Sequence, residues 1–148
     1  MDQIIDVIIP TYKPDKSFER LIEKLQLQTI KPNKIILMNT REKYIEHFLK
    51  ESRILEKYDN IEIYHVSETE FDHGKTRDMG VQCSKAPYFL CMTQDAVPYD
   101  NKLIEELLNV LEKDNVASVY GKQLARPNSH ILESFTRKFN YPDQSRMK

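Results

Sequence analysis

The chain has 148 residues, 40% of them hydrophobic and 30% charged, with a net charge of -1. That length suits one domain with a sizeable core, and the charge balance excludes a basic stripe that neutralises nucleic-acid phosphates. The N-terminal MDQIIDVIIP has a short apolar run without a basic flank and matches neither a signal peptide nor a membrane span.

In chain order, residues 6–10 (DVIIP) read as a buried strand, left through Thr11, Tyr12, Lys13 and Pro14. Asp15 caps a helix whose Phe18, Leu21, Ile22 and Leu25 share one face at the i, i+3, i+4, i+7 spacing. Residues 34–38 (KIILM) form a second buried strand ending at Asn39 and Thr40, and residues 41–58 a second helix with Tyr44, Phe48 and Leu55 inward. Residues 61–66 alternate and make a third strand. The polar SETEFDHGKTRDMGV is a loop entering a helix over 76–84. Residues 88–92 (YFLCM) suit a strand buried on both faces, as in a parallel sheet. A helix over 101–113 carries Leu103, Ile104, Leu107, Leu108 and Leu111 inward, and residues 116–120 read as a fifth strand. Ile131, Leu132, Phe135 and Phe139 then mark a weak helical pattern.

Strands alternating with helices at this spacing give the α/β class with a mainly parallel sheet. Cys83 and Cys91 lack metal-ligand spacing and read as small buried hydrophobes in a reducing compartment, so the expected location is cytoplasmic.

Several α/β chemistries are excluded. TYKPD after the first strand offers neither G-x-G-x-x-G nor G-x-x-x-x-G-K-[ST]. No G-x-S-x-G elbow is present, and His47, His65, His73 and His130 are too scattered for a histidine zinc site. What remains is polar residues at strand carboxyl ends: Thr11 and Tyr12, then Asn39, the 72–78 segment, and Gln94 with Asp95. Ligands of open α/β sheets bind there. A carboxylate such as Asp95 either holds a metal or a ribose, or merely caps the turn before Pro98. Aromatic, amide, cationic and carboxylate groups together suit a nucleotide diphosphate with Mg²⁺ or Mn²⁺. The bland readings are a half-exposed loop tyrosine at Tyr12, a solvated helix start at Arg77 and Asp78, and glycines at 74 and 80 serving backbone geometry or close packing.

At these residues the chain resembles family 2 inverting glycosyltransferases of the GT-A fold. The resemblance rests on VIIPTYK, QTIKPNKIILMN and the strand ending in an acidic motif. FDHGKTRDMG, MTQDAVP, VYGKQLARP and ESFTRKFNYP, in that order, look like its bacterial rhamnosyltransferase branch. The resemblance covers essentially the whole chain. It implies a single GT-A donor-binding domain over 1–148, an αβα sandwich with its acceptor-binding half and general base absent, transferring sugar poorly or not at all on its own. Thr11 and Tyr12 would border the base. Asn39 stands where the family usually has an Asp that reads it, a departure from the family's pattern. Lys75 and Arg77 would approach the diphosphate, with Arg77 the main charge partner; Gln94 would replace the first acid of the D-x-D-like motif and face the ribose, and Asp95 would bind the divalent cation.

The partners so implied are a nucleotide-diphospho-sugar donor, dTDP-rhamnose or a UDP-sugar, and a saccharide or lipid-linked saccharide acceptor in cell-surface polysaccharide synthesis. The location implied is cytoplasmic or peripheral at the inner face of the membrane. The competing expectation is a non-catalytic α/β module, truncated or degenerate, that binds nucleotide or forms a homo-oligomer through a truncated edge. Phe135, Phe139 and Tyr141 motivate it.

Overall fold

A computed structural model describes residues 4–125, 127–141 and 143–144. Arg126 and Pro142, which belong to two of the motif blocks, lie outside the described residues. The elements are β1 (Ile5–Tyr12), α1 (Lys16–Gln26), β2 (Lys34–Thr40), α2 (Glu42–Ser52), α3 (Ile54–Lys57), β3 (Ile61–Val66), α4 (His73–Cys83), β4 (Tyr88–Cys91), α5 (Leu103–Leu111) and α6 (Ile131–Asn140). The chain divides into two compact units, with the boundary after Glu105.

The first unit is a four-stranded, all-parallel sheet in the order β3-β2-β1-β4. Its central strands are continuous apolar runs because both faces are covered: Val7, Ile8, Ile9, Ile35, Ile36 and Leu37 are all fully buried. On one face, Ile8, Ile36, Met38 and Val66 pack with Phe71, Val81 and Cys83, so α4 lies across β1 and β2. By alternation Val7, Ile9, Ile35 and Leu37 point to the other face. α1 buries Phe18, Leu21, Ile22 and Leu25, and Phe18 packs on Phe48 of α2 at 5.5 Å between ring centroids. The strand order steps one way from β1 to β2 to β3, then returns past β1 to β4. With right-handed crossovers, that reversal puts α4 on the face opposite α1 and α2 and creates a topological switch point between β1 and β4.

Local chemistry explains where the elements begin. Asp15 accepts from the Ser17 and Phe18 amides to cap α1, and Asp72 accepts from Gly74 and Lys75 to cap α4. α4 therefore starts at His73, earlier than the 76–84 span expected. Gly80 permits its close approach: a Cβ there would lie 2.5 Å from Ile8 Cγ2 and 3.2 Å from Met38 Cγ. At the opposite, amino end of the strands, the buried Asp6 carboxylate accepts from Asn33 Nδ2 at 2.8 Å, Lys34 N at 3.0 Å and Ser84 Oγ at 2.6 Å.

Four expectations are corrected. The helix over 41–58 breaks at Arg53, whose φ of 55° is left-handed; the phase change turns Ile54 inward and leaves Leu55 exposed. Residues 116–120 form no strand, since a β-compatible run needs a ladder neighbour and these have none among the described residues. β4 is not buried on both faces: α4 covers β1 and β2, and the β4 residues beside Asp6 and Ile8, namely Phe89 and Cys91, stay exposed. Cys91 is consequently no buried hydrophobe, while Cys83 is partly buried.

In the second unit, α6 forms over the expected pattern, with His130 Nδ1 accepting from the Leu132 amide at its start. None of its described residues is buried. Among the described residues, no helix is long and apolar enough to cross a membrane.

Candidate functional site

β1, β2 and β3 end in register, and their last rows assemble the polar residues. Thr11, Asn39 and His65 are direct neighbours across the three strands. The Thr11 hydroxyl donates to Asn39 Oδ1 at 3.3 Å, and Asn39 Nδ2 lies 3.2 Å from His65 Nδ1. Thr11 and Asn39 are buried, so this polar row closes the apolar core beneath the strand ends. Tyr12 and Thr40 occupy the next row, and Tyr12 stands half out of the surface at 42% exposure.

The chain leaves both strands through left-handed, non-glycine residues, Lys13 at φ 48° and Arg41 at φ 65°. Such backbone costs about 1–3 kcal/mol per residue and clusters at functional sites. Here both turns deliver cations to one ring. Lys13 Nζ lies 4.9 Å from the Tyr44 ring centroid and 5.3 Å from that of Tyr12. Arg41 and Lys43 approach Tyr44 at 5.7 and 5.1 Å. Tyr12 and Tyr44 meet edge to face at 5.7 Å. A hydrogen bond from Arg41 Nη1, aided by the charges of Lys13 and Lys43, holds the Tyr44 hydroxyl below the usual phenol range. Arg41 is itself held charged by its bonds to Glu68 and Tyr44. The result is an aromatic pair ringed by three cations, with Glu68 partnering one of them.

Across the switch point, the turn after β4 is closed by Ala96 N to Thr93 O at 3.1 Å and Val97 N to Asp95 O at 3.2 Å. Gln94 faces β1 and makes two 2.8 Å hydrogen bonds with the main chain of Tyr12. Asp95 is exposed, and among the described residues its carboxylate accepts no hydrogen bond and pairs with no cation. It is therefore available to an incoming group. No cluster of three or more metal-ligating side chains exists among the described residues. One carboxylate is nonetheless the usual protein share for Mg²⁺ shared with phosphate oxygens, so Asp95 fits such an ion and a carboxylate-rich cage is not required.

The expected residues are thus brought together unequally. Thr11 joins Asn39, and Tyr12 joins Gln94 beside Asp95. Arg77 donates to the His73 carbonyl one turn back in α4 at 2.7 Å. Lys75 is exposed, forms no side-chain hydrogen bond among the described residues, and acts electrostatically on Glu70 and Asp72. Lys13, Tyr44 and His65 escaped the sequence reading. The helical pattern points Tyr44 toward the core, and His65 reaches the site only through strand register, but Lys13 directly follows Thr11 and Tyr12.

The family model for glycosyl transferase family 2 matches residues 6–145. This chain belongs to that family. It is 29% identical over 145 residues to the O-antigen chain rhamnosyltransferase RfbN of Salmonella typhimurium, covering 97% of this chain and 45% of the relative. To the O-antigen chain rhamnosyltransferase WbaN of Salmonella anatum it is 28% identical over 145 residues, 96% of this chain and 44% of that one. The chain thus spans less than half the length of these relatives. A crystal structure of residues 1–349 of S. aureus TarS, in complex with UDP-GlcNAc, superimposes with a TM-score of 0.54 at 17% identity, covering 85% of this chain and 39% of that one. At that identity the likeness concerns the fold, the GT-A α/β architecture.

Proposed function

We propose that the crevice between β1 and β4 binds the nucleoside diphosphate of a sugar donor, and that the chain is the donor-binding part of a rhamnosyl-type glycosyltransferase. The observation that carries this reading is the unpartnered Asp95 carboxylate at the switch point, next in sequence to Gln94, whose side chain bonds the Tyr12 main chain. In this reading Tyr12 offers its ring to the base, with Lys13 and Tyr44 beside it. Arg77, near the start of α4, neutralises the diphosphate. Asp95 holds a Mg²⁺ or Mn²⁺ ion, whose chemistry when bound is Lewis-acid stabilisation of charge on the departing nucleoside diphosphate. The relatives named as rhamnosyltransferases favour a dTDP-linked donor, and the UDP-GlcNAc complex of the structural neighbour keeps UDP as the other candidate. The acceptor is a saccharide of a cell-surface polysaccharide.

Calorimetric titration with dTDP and UDP, with and without Mn²⁺, tests this. Metal-dependent binding is expected, with the metal-dependent part abolished in Asp95→Ala. Affinity that ignores both the metal and this substitution would sink the assignment of Asp95.

A second reading has its own support in α6, where Ile131 and Phe139 are 83% and 79% exposed and Leu132 and Phe135 share the exposure. An apolar face of this kind favours self-association through that helix, without catalysis. Sedimentation over a concentration series separates the readings: a strictly monomeric chain with metal-dependent nucleotide binding excludes the second.

A further inference from the structure

β1 continues four residues further than its neighbour on the β4 side. The register of that pair ends with Ile8 opposite Cys91, and its last main-chain bond runs from Met92 N to Ile8 O at 3.0 Å. Residues 8, 10 and 12 turn their peptide groups to this edge, because every second residue of a parallel strand faces the same neighbour. Beyond Ile8 the edge has no strand to pair with. Pro10 brings no N–H that needs a partner. Tyr12 brings both an N–H and a C=O, and the Gln94 side chain meets both: its Oε1 accepts from Tyr12 N at 2.8 Å, and its Nε2 donates to Tyr12 O at 2.8 Å. A primary amide carries the same donor and acceptor pair as a peptide group, so Gln94 extends the sheet by one rung with a side chain. A carboxylate has only acceptors and would face the Tyr12 carbonyl with a second oxygen.

We propose that Gln94 is a positioning residue: it clips the end of β1 to the turn after β4 and fixes the Tyr12 ring relative to the Asp95 carboxylate, in place of touching the donor itself. This rests on reading the crevice as the donor site. It also gives a physical reason for an amide, and not an acid, at this position. If position 94 contacted ribose hydroxyls, a carboxylate would serve at least as well as an acceptor. For the clip, only the amide suffices.

The test uses the full chain and two readouts: hydrogen exchange at the Tyr12 amide by NMR, and calorimetric affinity for dTDP and UDP with Mn²⁺. In Gln94→Ala, Tyr12 exchange should accelerate about tenfold, the effect of losing one hydrogen bond at the upper end of its net worth; Gln94→Glu keeps an acceptor for the Tyr12 N–H but sets a second oxygen against the Tyr12 carbonyl. The β2 amides should keep their protection, and nucleotide affinity should fall in both variants. Gln94→Met, of similar length but without the polar pair, replaces either variant that loses β2 protection. Unchanged Tyr12 exchange in Gln94→Ala, or a Gln94→Glu chain that binds nucleotide as tightly as the parent, overturns the proposal. A parent chain that binds no nucleotide while Tyr12 exchange still responds overturns the donor reading and, with it, the positioning role; the two failures are thereby told apart.

Discussion

Asn39 does two jobs with one amide, accepting from Thr11 and donating toward His65 from a fully buried position. Its place at the end of an apolar run was legible, because a polar residue terminating KIILM has few other reasons to be there. Its partners were not, since they come from strand register and lie 28 and 26 residues away. Asn39→Ala should destabilise the chain by about 1–3 kcal/mol, because the buried Thr11 hydroxyl loses its acceptor; urea unfolding measures this. Asp72 provides a second residue-scale test. Hydrogen bonds from the Lys75 and Gly74 amides hold its carboxyl below the usual Asp value. A depressed folded-state pKa contributes stability that is present above the unfolded value, about 3.9, and lost as pH falls through the folded one. The start of α4 should therefore loosen only on acidification below about pH 4. Asp72→Asn, which keeps an accepting oxygen but cannot titrate, should remove that acid dependence from the chemical shifts of Gly74 and Lys75. An unaltered acid transition in the variant would show that Asp72 is not its source.

Elements were legible wherever a pattern met its partner. β1, β2 and α1 follow from apolar runs and the i, i+3, i+4 stripe capped by Asp15, and all are found buried. Residues 116–120 and the outer side of β4 failed for one shared reason: composition reports a capacity to pair or be covered, not the presence of a neighbour. The break at Arg53 was hidden because a left-handed residue there is an arginine, where glycine would have signalled a helix end. Gly80 could be read as close packing or as backbone geometry, and its φ is not positive, so close packing is its reason. Gly80→Ala drives a methyl into Ile8 and Met38, both fully enclosed side chains in the centre of the sheet. Overpacking of this kind should cost about 1–3 kcal/mol. A fall in the urea midpoint at constant m-value is the expected record, and an unchanged or raised midpoint would mean that α4 can lift from the sheet at no cost.

At the scale of the molecule, alternation of strands and helices fixed the class, but not the strand order. The reversal that sets β4 beside β1 arises from how α4 crosses the sheet, and it is this reversal that joins Tyr12 to Gln94 across 82 residues. Burial is distributed with the same bias. The sheet unit encloses fully buried strands, whereas α6 in the second unit has no buried residue among those described. A helix of 10 residues without a packed face is marginal in water. Hydrogen exchange of the intact chain at low concentration should therefore find α6 amides within about tenfold of unprotected rates, while β1 and β2 exchange at least about a thousandfold more slowly, through global unfolding. Equal protection of α6 and the strands, independent of concentration, would mean that the apolar face of α6 is covered within the chain. Protection of α6 that grows with concentration would instead identify a second copy as its cover and give the self-association reading its weight.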